Sequence, residues 1–216
     1  MISVMASELF KLRKKIRAWL GPLLIMILVL IAFPLSIDIS QYDLNKFYFS
    51  IIVISLLVIS FLATETMFVE DFEDGTLEQI YLQERDFYKL ALAKVLIYVL
   101  LIGVPMSLIG SLFSFANGVD ASQLPQIFIT LIFSTLLLFN LFAFGAALSI
   151  NKGAMLGVLA TLPLALPVII LLGRAIRAVQ FGNGFYEIMA LMIGAGLLVA
   201  ALVPLVISIT LRTHLE

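Results

Sequence analysis

Glu70, Asp71, Glu73, Asp74 and Glu78 place five acids within residues 70–79 of a chain in which only 12% of residues are charged. Acids this dense could hold a cation or recognise a basic protein surface. The spacing argues against calcium. With Glu70 as first ligand, Phe72 takes the third position of an EF-hand loop and Tyr81 the twelfth, where oxygen ligands are needed. The local pattern instead predicts a helix start. Asp74-Gly75-Thr76 makes a turn, Thr76 and Gln79 are spaced as a capping box, and Glu78 falls in the positive first turn. A short helix over 77–84 would then present Leu77, Ile80 and Tyr81 on one face, with Arg85-Asp86 ending it. Seven acids and one arginine up to Asp86 suit a cytoplasmic partner with a complementary groove better than lipid headgroups. The plainer reading is a solvated turn between two helices.

Other chemistry is missing. The only histidine is His214 and there is no cysteine. A Ser-His protease, a His-ligated metal site or a bis-histidyl haem site therefore cannot be assembled from these segments. No Gly-Lys dipeptide occurs, so no phosphate-binding Walker loop is present. Ion-driven transport would want carboxylates at mid-membrane. Glu65 and Glu187 instead fall near the ends of apolar runs.

The elements that must carry the acidic loop are membrane helices. The chain is 62% hydrophobic with a mean hydropathy of +1.16, too apolar to cover a soluble surface. Six runs are long enough to span a bilayer: 20–37, 47–69, 90–115, 126–150, 153–173 and 188–211. Each is apolar around its circumference, which suits helices and not the alternating strands of a barrel. The expectation is one all-α membrane domain over 1–216, with the acidic loop occupying 70–89. Ten of the thirteen Lys and Arg residues, among them Lys11, Lys15, Lys89, Lys94 and Arg212, fall on one side. Both termini are therefore expected in the cytoplasm, with the acidic loop beside them. A net charge of −1 makes nucleic acid an unsuitable partner.

Ahead of the first run, Met5, Leu9, Leu12, Ile16 and Trp19 recur at helical spacing, while Lys11, Lys14 and Arg17 point away. Residues 1–19 are expected to form an amphipathic interfacial helix, retained rather than cleaved, acting as a pivoting elbow, a lipid anchor, or both. Pro105, Pro163, Pro167 and Pro204 interrupt apolar runs. Pro105, Pro163 and Pro167 are the candidate conformational joints, a static kink being the alternative. Gly153 and Gly157 form a Gly-x-x-x-Gly close-packing pattern. Arg174 and Arg177, one helical turn apart on the outer side, could pair with lipid phosphates or contact an anion or periplasmic partner. Gly182-Asn183-Gly184 then makes a turn.

Four blocks carry a family resemblance: Phe33-Pro34-Leu35-Ser36-Ile37, Asp71-x-x-Asp74-Gly75-Thr76-Leu77-Glu78-Gln79, Leu92-Ala93-Lys94-Val95 and Leu162-Pro163-Leu164-x-x-Pro167. Through them the chain resembles the CcmB family of cytochrome c maturation proteins, the membrane components of a haem exporter complex of the ABC type. The resemblance covers nearly the whole chain. Where the family often has basic residues before the acidic block, Thr66 and Val69 stand here.

The resemblance implies an inner-membrane permease of the ABC-2 or type V exporter kind. Its partners would be an ATP-binding protein of the CcmA kind, a six-span haem-handling protein (CcmC-like), a small single-span protein (CcmD-like) and a haem chaperone (CcmE-like). ATP and haem would sit on those partners, with no cofactor and no enzymatic activity on this chain. Residues Glu70, Asp71, Glu73, Asp74, Gly75, Thr76, Leu77, Glu78 and Gln79 would couple it to the ATPase. Whether a second copy of the chain joins the complex stays open. So do two competing functions, a permease for a lipid or other hydrophobic cargo and a static assembly scaffold.

Overall fold

The computed structural model describes residues 2–36, 44–83, 86–150 and 154–215, and every regular element among them is helical. Asn151, Lys152 and Gly153 between the fourth and fifth runs, and the loop residues Glu84 and Arg85, lie outside them. Six helical segments are long and apolar enough to cross a membrane. The first is α2 (Ile16–Ser36), preceded by the short helix α1 (Ile2–Lys14). The second combines α3 (Leu44–Thr64) with α4 (Val69–Glu73). After α5 (Thr76–Leu82), the third runs through α6 (Phe87–Tyr98), a π-helical turn at Val99–Gly103, and α7 (Val104–Ala116). The remaining three are α8 (Leu124–Ser149), α9 (Ala154–Phe181) and α10 (Phe185–Thr213).

The predicted runs match these helices, with two shifts that matter. The interfacial helix ends at Lys14 and not at residue 19, so Arg17 and Trp19 belong to the first span. The fifth span does not stop at Gly173 but continues to Phe181, which places Arg174 and Arg177 on its last turns instead of beyond its end. Both arginines are exposed, while Ala175, Ile176, Ala178 and Val179 on the opposite face keep this stretch packed.

Helix α8 is the centre of the bundle. Two thirds of its apolar window (67%) is buried, against 22% in α2 and in α10, whose outer faces expose Leu28, Leu35, Leu197 and Leu202 to the surroundings. Such faces are stable only in lipid. Against α8, helix α9 makes a backbone-to-backbone crossing. A Cβ on Gly157 would lie 2.4 Å from the carbonyl oxygen of Gly145, so only glycine fits. The small residue pairing with Gly157 across helices is therefore Gly145. Several buried hydroxyls in the spans satisfy themselves locally. Ser107, Ser114, Ser134 and Thr161 each donate to the carbonyl four residues back.

Pro105 does not kink a continuous α-helix. A proline ring clashes with the carbonyl four residues earlier, and here the turn just before it, Val99–Gly103, widens to π geometry. Pro105 then sits in the first turn of α7, directly after the widened turn. Pro163 and Pro167 lie within α9 on an exposed face. At one end of the bundle, Gln180 donates to the Tyr48 hydroxyl (2.8 Å) and Gln123 to the Val179 carbonyl (3.2 Å). Gly182 and Gly184 both have positive φ and make the expected turn into α10. At the opposite end Arg212 lies over the Phe87 ring, beside the start of α6.

Candidate functional site

The acidic loop folds as two short helices, α4 and α5, joined by Asp74 and Gly75. Gly75 adopts φ 75°, a left-handed conformation that side chains resist, and serves as the N-cap of α5. The expected capping box does not form, since Gly75 and not Thr76 is the cap. The Asp74 carboxylate reaches the Thr76 N–H first (Oδ1 to N, 2.9 Å), as a side chain two residues upstream readily does. Hydrogen bonds from Thr76 accordingly hold the Asp74 carboxyl below its ordinary range.

The loop's side chains divide into an inner and an outer set. Leu77 is 1% exposed and packs into the main core, so it anchors the helix instead of sharing an outer face with Ile80 and Tyr81. Glu73, Asp74 and Glu78 are exposed, together with Tyr81 and Leu82. Thr76 and Gln79 line a cleft of about 400 Å³ between α5, α1 and the start of α6, closed on the far side by Lys11 and Lys89. Asp71 is the acid of the expected coupling set that the fold withdraws, at 5% exposure.

Asp71 belongs to a closed ring of four charges. Lys94 on α6 lies 2.5 Å from Asp71 and 3.7 Å from Glu8 on α1. Lys11 on α1 lies 3.6 Å from Asp71 and 3.5 Å from Glu8. Lys94 also donates a hydrogen bond to the Met67 carbonyl (2.7 Å), while its contact with Asp71 Oδ2 is an ion pair without hydrogen-bond alignment. Glu8, Asp71 and Lys94 are all buried. A buried charge without partners is costly, and here each acid faces two ammonium groups and each lysine two acids. Burial alone would lower the Lys11 pKa, but the Asp71 and Glu8 charges outweigh it and raise it. A second link, the Lys15–Glu70 ion pair, joins the α1–α2 junction to the first turn of α4.

This arrangement gives the N-terminal helix a charged seat on the bundle. Leu12 is buried, Leu9 and Ile16 are exposed as on a lipid-facing side, and Lys11 reaches the ring with its side chain still 46% exposed. The charge pairing selects the buried side, which apolar periodicity alone does not reveal. Glu8 carried no signal in the sequence. Lys94 stood out only as a charge that sets orientation and as part of the Leu92-Ala93-Lys94-Val95 block.

A family model described as CcmB protein matches residues 1–214. The chain is 30% identical to heme exporter protein B of Haemophilus influenzae, covering 100% of this chain and 98% of that protein. It is 34% identical to heme exporter protein B of Pseudomonas aeruginosa over 73% of this chain and 72% of the relative. The protein of the same description from Paracoccus denitrificans is 25% identical, over 85% of each chain. An all-helical chain with six membrane-length segments, matched from end to end in this way, belongs to the CcmB family.

Proposed function

We propose that this chain is the permease of an ATP-driven complex that exports haem, or frees a haem-loaded chaperone, during c-type cytochrome assembly. Family membership and the description of its relatives as heme exporters support the cargo. The mechanical half rests on one observation. The joined helices α4 and α5 expose Glu73 and Glu78 outward while Leu77 locks α5 to the core.

In this reading an ATP-binding partner grips that acidic edge with a basic groove. Its closure moves α5 as a lever. The displacement passes through Leu77 to the core, through Asp71 to Lys94 on α6, and through Glu70 to Lys15 at the head of α2. The π turn before Pro105, and Pro163 and Pro167 on α9, give the spans places to bend. Arg174 and Arg177, near the other end of α9, are positioned to meet a periplasmic partner or an anionic group.

With His214 as the sole histidine, the chain acts by moving partners and not by ligating iron. ATP sits on the CcmA-like ATPase, and haem on the CcmC-like protein and the CcmE-like chaperone. A small CcmD-like protein completes the complex, and a second copy of this chain is compatible with it. The complex lies in the bacterial inner membrane with both termini of this chain in the cytoplasm.

The test is the pair Glu73→Lys and Glu78→Lys in the assembled complex. Asp74 is left intact because it also holds the start of α5. Insertion should be normal while ATP hydrolysis no longer releases the chaperone. Normal coupled turnover would remove α5 from the mechanism, and a static scaffold would leave both variants silent. A permease for another hydrophobic cargo would show ATPase activity stimulated by that cargo instead.

A further inference from the structure

We propose that the groove between the α1–α2 junction and the end of α3 is a binding site for an anionic phospholipid. The groove has a volume of about 680 Å³ and is lined on one side by Lys14, Lys15 and Arg17, on the other by Leu62, Ala63 and Thr66. Its charge is not balanced. Glu70 sits at the rim, but its carboxylate is engaged by Lys15. Lys14 lies over the Phe10 ring, 4.3 Å from its centre, a contact that leaves the ammonium exposed. Arg17 is exposed and has no ion-pair partner among the described residues. Two cations therefore face the groove uncompensated, one of them a guanidinium whose fork of donors matches a phosphate diester. The first turn of α2, Ile16 to Ala18, forms part of the same wall.

The shape favours a lipid over a free phosphate ion. Beneath the cations the walls turn apolar, with Ile25 43% and Leu62 39% exposed, and Leu28 one turn further along α2 is 67% exposed. That track suits an acyl chain and offers nothing to a soluble anion. Room exists at its head, because a Cβ on Gly21 would meet nothing within 4 Å. A phosphate held by Lys14 and Arg17, with a chain running past Ile25 and Leu62, would fill both halves. The bound lipid would set the angle between α1 and α2, and through Lys15 and Glu70 the seat of α4. The site does not depend on the ATPase reading, since it needs only a bilayer with anionic headgroups on that face.

The test is native mass spectrometry of the purified full chain with phosphatidylglycerol, phosphatidylcholine or inorganic phosphate. One phosphatidylglycerol should be retained, on the order of tenfold more strongly than phosphatidylcholine, and phosphate alone should not compete. Lys14→Gln with Arg17→Gln should cost most of that preference, whereas Arg13→Gln, outside the groove, should not. Gly21→Leu leaves every charge in place but obstructs the groove, and should also reduce retention if the charge variant is poorly produced. Equal retention of both lipids, an equal loss with Arg13→Gln, or full competition by phosphate would each overturn the proposal.

Discussion

Lys94 Nζ stands 2.5 Å from Asp71 Oδ2 and 2.7 Å from the carbonyl oxygen of Met67, so one ammonium on α6 secures both the turn after α3 and the helix that follows it. Through Glu8 the same group also holds the N-terminal helix, at 3.7 Å. Three elements thus share one cation. Removing it as Lys94→Met leaves two buried acids with Lys11 alone, and a loss of about 3–5 kcal/mol is expected. Thermal unfolding of the detergent-solubilised protein would measure it. Adding Asp71→Leu should recover much of the loss, because the stranded charge goes with it.

Acids of the loop are not equivalent. Asp71→Lys puts a third cation beside Lys94 and Lys11 in a buried site, and the yield of folded protein should collapse. Glu78→Lys alters an exposed side chain, and stability should stay within about 0.5 kcal/mol of the parent. Comparable losses from both would mean that the loop's inner and outer sets are wrongly divided.

Leu77 fastens α5 to the bundle. Truncation to alanine removes a side chain that is 1% exposed, with an expected cost of about 2–4 kcal/mol. Hydrogen exchange should report faster opening across residues 76–82 in particular, and coupled turnover should fall even where the protein still inserts.

The start of α5 should be sensitive to acid. Hydrogen bonds from Thr76 lower the Asp74 pKa, so the folded state favours its ionised form. That contribution is present at neutral pH and disappears as the pH falls from about 4, the ordinary carboxylate value, through the folded value below it. Asp74→Asn keeps the acceptor and removes the charge. Its loop should be cleaved by pepsin more readily than the parent's near pH 4, and the difference should vanish toward pH 2. A gap that persists at the lowest pH would exclude the charge as its cause.

The crossing of α8 and α9 tolerates no side chain. Gly157→Ala sets a methyl group 2.4 Å from backbone and should cost about 1–3 kcal/mol or more, since neither helix can yield by rotating a rotamer. Gly194→Ala, where nothing lies within 4 Å, should be neutral. Thermal stability of the two variants makes the comparison.

The spans were legible because hydrophobicity over some twenty residues is a property of the segment itself. The acidic loop stood out for the same reason in reverse, and Gly75 marked its turn because a positive φ favours that residue. What the sequence concealed was partnership. Glu8 and Lys94 meet only once α1 has folded back on α6, and no local spacing encodes that encounter. The capping box failed because Asp74 competes for the same N–H from two residues upstream. Pro105 was legible as an interruption, but whether a helix answers by bending or by widening one turn depends on its neighbours.

The four-charge ring also sets an order in time. A nascent chain emerges from its N-terminus, so Glu8 and Lys11 leave the ribosome well before Asp71, and Asp71 before Lys94. The N-terminal helix, although made first, cannot take its final seat until the third span has entered the bilayer. Synthesis arrested before that point would yield a polypeptide whose leading helix is unmoored, giving quality-control proteases a mark by which to recognise an unfinished product.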